Sequence, residues 1–160
     1  MLTLTQILNH GEWALLALYV KNITILQRTR RIPRQKKDEE PEKKPVKLKE
    51  IIEKVGGTVL SRRVDLDLEI QSCGASDLMS DVLSFMKPGS LLLTGLVNTQ
   101  SIRSAEMADL AAIIFVRGKT PATEVIDLAD ELGIPLIASA YGMYEMSGRL
   151  YQAGLVPTFP

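Results

Sequence analysis

The chain has 160 residues, 46% of them apolar and 24% charged, with a formal net charge of zero. That is enough apolar material for one ordinary domain with a buried core, and it excludes wholesale disorder. Its single cysteine, Cys73, and single histidine, His10, rule out an intrachain disulfide and a cysteine-based zinc cluster, and argue against a Ser-His-Asp triad or a multi-histidine metal site.

Residues 1–45 hold nine Lys/Arg against five Asp/Glu, whereas residues 46–160 hold ten against fourteen. An acidic main part argues against a nucleic-acid partner, since that binding needs basic surface facing phosphate. The apolar run Trp13 to Val20 is eight residues long, and a spanning helix needs roughly twenty. Basic residues follow this run instead of preceding it, which is the wrong order for a signal peptide. The chain reads as soluble, without a membrane span, and its lone thiol fits a reducing, cytoplasmic setting.

In chain order, residues 3–26 allow one short helix around Ile7, Leu8, Leu15, Leu16, Leu18 and Ile23, weakened by Gly11 and the β-branched Ile23-Thr24-Ile25. Gln27 to Pro45 holds three prolines and dense charge with almost nothing to bury, the composition of a flexible linker. Residues 1–45 are therefore expected to be a poorly ordered extension and linker, and residues 46–160 the folded domain.

From Val46 the pattern is regular. Leu48, Ile51, Ile52 and Val55 have helical spacing, and Gly56-Gly57 ends that helix. A short strand at Thr58 to Leu60 comes next. Strands are then expected at Ile70 to Gly74, Leu91 to Thr94, Ala112 to Val116 and Leu136 to Ala138, each a continuous apolar run suited to a sheet buried on both faces. Helices are expected at about Asp77 to Met86, Thr99 to Met107, Ala122 to Leu132 and Gly142 to Gln152. Thr120-Pro121 reads as an N-cap followed by proline at the first helical position, and Gly133 as a C-terminal stop. Alternating strand and helix predicts an α/β fold, a small three-layer sandwich with a mostly parallel sheet and βαβ crossovers.

In such sheets ligands bind beyond the carboxyl ends of the strands, beside helix N-termini. Four loops lie there: 73–77, 94–98, 117–120 and 139–141. Gly74 and Gly95 directly follow strands, where backbone can approach a ligand closely. A small anionic ligand would draw its contacts from Ser76, Thr94, Asn98, Arg117, Lys119 and Thr120; the plainer alternative is that these residues turn the chain and cap helices. Gly118-Lys119-Thr120 is not a nucleotide-hydrolysing loop, because position 113 is Ile where that motif needs glycine, and Pro121 removes an amide donor. Asp77 and Asp81, one helical turn apart, lack a third acidic ligand for magnesium, and Asp77 is explained by the dipole of a helix beginning there. No metal or cofactor is expected. Cys73 is expected to be a buried small hydrophobe. On the last helix, Glu145 and Arg149 form an i,i+4 pair. Tyr144, Gly148 and Tyr151 share a face there, suited either to a subunit contact or to packing on the sheet.

The strings Asp77-Leu78-Met79-Ser80-Asp81-Val82-Leu83, Leu92-Leu93-Thr94-Gly95-Leu96-Val97-Asn98, Ile114-Phe115-Val116-Arg117-Gly118-Lys119 and Gly133-Ile134-Pro135-Leu136-Ile137 resemble the DRTGG domain family. Tyr144-Glu145 and Gly148-Arg149-Leu150-Tyr151 strengthen the resemblance, which covers about residues 47–155. Related domains are fused to CBS pairs or to phosphotransacetylases, and the N-terminal domain of HPr kinase/phosphorylase is similar. The sequence lacks a contiguous Asp-Arg-Thr-Gly-Gly; Thr94-Gly95 is the nearest part. It also lacks the kinase, CBS and acetyltransferase domains, so no catalytic residue is carried over. The resemblance implies a compact α/β domain of regulatory type. The expected function is thus a non-catalytic ligand-sensing domain, and for so small a domain without an active site of its own a homodimer is the expected assembly. A scaffold acting through protein contacts alone is the alternative, and a phosphotransferase-related enzyme is disfavoured.

Overall fold

The computed structural model describes residues 44–158; the expected N-terminal helix and charged linker lie outside the described residues. A six-stranded sheet forms the middle layer, in the order β2-β7-β6-β5-β4-β8, with β2 Thr58–Val59, β4 Ser72–Ala75, β5 Leu91–Thr94, β6 Ala112–Phe115, β7 Leu136–Ala138 and β8 Val156–Pro157. Pairing is parallel throughout except at β2, which runs antiparallel to β7.

The apolar runs are continuous because both faces of each central strand are covered. Leu91, Leu93, Ala112, Ile114, Val116 and Ile137 point to one core. Leu92, Ile113, Phe115 and Leu136 point to the other. Helices α1 Leu48–Val55 and α5 Met143–Gln152 supply Leu48, Ile51, Val55, Met146 and Leu150 to the first core. Helices α2 Met79–Phe85, α3 Thr99–Met107 and α4 Thr123–Leu132 supply Met79, Val82, Ile102, Val125 and Ala129 to the second. The connections β4-α2-β5-α3-β6-α4-β7 therefore stay on one face, and α5 returns over the other to bring β8 beside β4. This is the expected three-layer α/β sandwich.

Register positions the site. Ala75 lies opposite Leu93, Thr94 opposite Phe115, and Phe115 opposite Ala138, so these strands end level. At the other edge Ser72 and Ser90 share a buried hydroxyl contact of 2.8 Å, and Thr158 joins Ser90. Polar side chains there are consumed internally.

Four local expectations are corrected. The run Ile70 to Gly74 is two strands: β3 Glu69–Ile70 pairs antiparallel with β1 Val46–Lys47 in a separate two-stranded sheet, and only β4 joins the main one. Helix α2 starts at Met79, not Asp77, with Leu78 as its N-cap. Helix α4 starts at Thr123 with Ala122 as its N-cap; Thr120 is exposed in the loop and Pro121 is buried instead of opening the helix. Strand β8 was not expected, since a two-residue pairing ending in proline carries no periodicity.

Helix α1 ends as its sequence demands. Gly56 takes φ +56°, and the amides of Gly56 and Gly57 donate to the carbonyls of Glu53 and Ile52. A Cβ on Gly57 would lie 2.6 Å from Ile137 Cγ2, in the fully buried centre of β7. Gly57→Ala is therefore expected to destabilise the domain by about 1–3 kcal/mol through overpacking. Urea unfolding checks this, as a lower midpoint at unchanged slope.

Candidate functional site

The level strand ends bring three loops together. Beyond β4 runs Ser76-Asp77-Leu78, beyond β5 Gly95, and beyond β6 Val116-Arg117-Gly118-Lys119. The ladder continues past the strands: the Ser76 amide donates to Leu93 O at 3.0 Å, and the Val116 amide to Thr94 O at 3.1 Å. The Arg117 and Gly118 amides then donate to Tyr141 O and Ser139 O, both at 2.8 Å, tying the end of β6 to the loop after β7. Arg117 and Gly118 are consecutive left-handed residues, with φ +66° and +63°. For Gly118 that conformation is free; for Arg117 it costs about 1–2 kcal/mol. Strain of this kind is kept where the surrounding structure over-determines it, typically at functional positions.

The side chains converge on the Gly95 peptide. The Gly95 amide donates to Asp77 Oδ1 at 2.5 Å, and the Thr94 hydroxyl donates to the same oxygen at 3.0 Å while accepting from the Leu96 amide. Lys119 Nζ donates to Gly95 O at 2.5 Å. Arg117 Nη2 faces Asp77 Oδ2 at 3.6 Å, with both side chains about half exposed. A Cβ on Gly95 would overlap that guanidinium, so glycine is needed for the close approach. Thr94 is fully buried, and Lys119 is partly buried.

Of the residues singled out from sequence, Thr94, Arg117 and Lys119 are brought together. Ser76 turns to its own backbone, accepting from the Leu78 amide at 3.0 Å. Asn98 caps α3, its Oδ1 accepting from the Ser101 amide at 3.0 Å. Thr120 stays exposed beyond Lys119 and caps nothing. Asp77 is the residue the sequence reading missed. Treated as a first-turn helical acid, it precedes the helix and spends its carboxylate across the sheet edge. Gly74, noted with Gly95, is buried within β4 instead of opening the edge.

Partial burial pushes the Asp77 carboxyl up, but the Gly95 amide, the Thr94 hydroxyl and Arg117 together hold it below the ordinary 3.8. At the strand before it, burial pushes the Cys73 thiol up to about 12, which leaves it an inert packing group. Among the described residues no cluster of three His, Cys, Asp or Glu side chains could hold a metal ion, and no helix is long and apolar enough to cross a membrane. The arrangement sets one cation, a hydroxyl and a backbone amide about one carboxylate, with a second cation, Lys119, on the carbonyl of the same Gly95 peptide.

On α5, Met146 and Leu150 take the core positions, leaving Tyr144 95% and Tyr151 55% exposed with Gly148 exposed between them. Packing of this face on the sheet is thereby excluded. Tyr151 also borders an apolar cleft of about 240 Å³ with Leu150, Leu155 and Val156. Arg149 binds Glu145 at 2.8 Å, as the i,i+4 spacing predicts, and its guanidinium sits 4.0 Å from the Tyr141 ring centre.

The DRTGG domain model matches residues 50–153, well over half the chain. The chain also resembles the crystal structure of the CBS and DRTGG domains of the regulatory region of Clostridium perfringens pyrophosphatase, complexed with its activator, diadenosine tetraphosphate. Identity is 17% and the TM-score 0.57, over 69% of this chain and 48% of that one. At that identity the likeness is one of fold, and the chain spans about half the length of that structure. No curated protein matches. This chain belongs to the DRTGG domain family.

The Asp77 network predicts an acid response of definite sign. Because the folded-state value is depressed, its stabilisation is complete above 3.8 and is lost as pH falls through the lower folded value. Half-exposed contacts limit the effect to about 0.5 kcal/mol. Urea unfolding at pH 7 and pH 2.5 should show a smaller acid loss in Asp77→Asn than in the wild type.

Proposed function

We propose that this member of the DRTGG domain family is a non-catalytic regulatory domain that senses a small phosphate-bearing ligand at the carboxyl ends of β4, β5 and β6. The observation that carries the reading is the convergence of Arg117 and Lys119 on the Gly95 peptide, with Arg117 kept in a left-handed conformation. Paired cations beside a backbone amide and a buried hydroxyl suit phosphate through charge-assisted hydrogen bonds. Ser76, Asn98 and Thr120 border the same edge and are proposed to contribute outer contacts. The regulatory region of the Clostridium perfringens pyrophosphatase, which shares this fold and is complexed with a nucleotide activator, supports a ligand of that class. Sensing needs only binding, so no general base is required.

Isothermal titration of ATP and of diadenosine tetraphosphate into the full chain tests this reading. Arg117→Ala and Lys119→Ala should each weaken binding about tenfold, the value of one charge-assisted hydrogen bond. The loss should shrink in high salt, where screening is greatest. Absence of binding of both nucleotides, by the wild type and by its variants alike, would overturn the reading.

The outer face of α5 favours a second, compatible role in self-association. Tyr144 and Tyr151 offer exposed aromatic surface on either side of Gly148, beside the apolar cleft. We propose a homodimer through this face, the commonest closed assembly. A Cβ on Gly148 meets nothing within 4 Å, so Gly148→Arg fits the monomer. Sedimentation at micromolar concentration should give a wild-type dimer and a Gly148→Arg monomer; a monomeric wild type contradicts the proposal.

A further inference from the structure

We propose that the donors around Gly95 form an oxyanion cradle for one phosphate group, and that Asp77 fills this cradle as an internal competitor of the ligand. This rests on the regulatory reading above and adds to it the atoms that hold the anion and the group that must leave. Neither Asp77 nor the Gly95 amide belongs to the set of contacts argued from sequence.

The geometry is that of a bound anion. One carboxylate oxygen takes the Gly95 amide and the Thr94 hydroxyl, at 2.5 and 3.0 Å, and the other faces the Arg117 guanidinium. A phosphate oxygen held by a backbone amide and a hydroxyl, with a second oxygen toward arginine, would make the same contacts. Lys119 donates to the Gly95 carbonyl, at the other end of that peptide, and adds its positive charge to the same loop cluster.

Two features make the carboxylate displaceable. At 3.6 Å the Arg117 contact is longer than the roughly 2.7–2.9 Å of a charge-assisted hydrogen bond, and about half of each side chain is exposed. Asp77 is carried on the loop before α2, a helix of only seven residues, and is not part of any regular element. The charges also favour exchange. Arg117 and Lys119 exceed Asp77 by one positive charge, so a doubly charged phosphate group matches the pair once Asp77 has swung away. Asp77 sits between Ser76 and Leu78, whose amide is held by the Ser76 hydroxyl independently of the carboxylate, so the Asp77 side chain can leave without breaking that turn.

A competitor that fills the site most of the time reduces apparent affinity by the fraction of open sites. Its removal must therefore raise affinity, the opposite of what loss of a supporting residue does. Inorganic phosphate and ATP are titrated into full-length wild type, Asp77→Asn, Asp77→Ala and Arg117→Gly at low salt. Asp77→Ala is expected to bind both probes about tenfold more tightly, as for a site filled nine-tenths of the time. Asp77→Asn keeps the acceptor for Gly95 and Thr94 but loses the charge facing Arg117, so its gain should be smaller. Arg117→Gly suits the left-handed backbone, and its loss of affinity reports the guanidinium and not misfolding. Cooperative urea unfolding qualifies each variant, and Asp77→Asn decides should Asp77→Ala fail to fold. Wild-type binding with equal or weaker binding in the Asp77 variants overturns the competitor and leaves the regulatory reading standing. Absence of binding in wild type and both Asp77 variants overturns the two together.

Discussion

Parallel pairing of β5 with β6, Leu91 opposite Ala112 through Thr94 opposite Phe115, fixes where every polar group of the site falls. Both strands are buried along their whole length, so a one-residue slip would exchange the residues that face the two helical layers. Leu92 and Ile113 would then meet α1 and α5, and Leu93 and Ile114 would meet α3. The register is therefore pinned by two cores at once. With the register set, Gly95 emerges level with Val116, one residue before Arg117, and β4 in register with β5 brings Asp77 beside Gly95. The site is a consequence of how two apolar layers interlock.

The same constraint explains the asymmetry between the sheet edges. At the amino ends of β4 and β5, Ser72 bonds Ser90, and Ser90 bonds Thr158, which follows β8; all three are buried, which satisfies their polar groups without reaching solvent. At the carboxyl ends the polar groups also bond to one another, but Asp77 and Arg117 remain half in water. A satisfied buried network stabilises; a satisfied exposed one is exchangeable, because solvent and solutes compete for each partner. Arg117 adds a local backbone cost that Gly at that position would avoid, so the guanidinium is retained against stability.

The layers were legible because central strands covered on both faces read as unbroken apolar runs. Leu91–Thr94 and Leu136–Ala138 have the expected bounds, as does the helix Thr99–Met107 capped by Asn98. The small β1-β3 sheet and the edge strand β8 were not legible, since two-residue pairings depend on partners distant in the chain. Asp77 misled for a related reason. An acid shortly before an apolar helical stretch looks like a dipole partner, and only tertiary pairing of β4 with β5 reveals that it faces Gly95. Thr120-Pro121 had the composition of a helix start, but burial of Pro121 postpones α4 to Thr123. For the α5 tyrosines, the deciding fact was which face meets the sheet, and Met146 and Leu150 take that face.

Backbone amide shifts on addition of ATP to the isotopically labelled full chain test the central claim most directly. The largest changes are expected at Thr94 and Gly95 and across Arg117 to Lys119, with Asp77 and Leu78 following as the carboxylate leaves. Changes centred on Lys87 to Gly89 and Gly133, at the opposite edge of the sheet, with Gly95 unmoved, would contradict it.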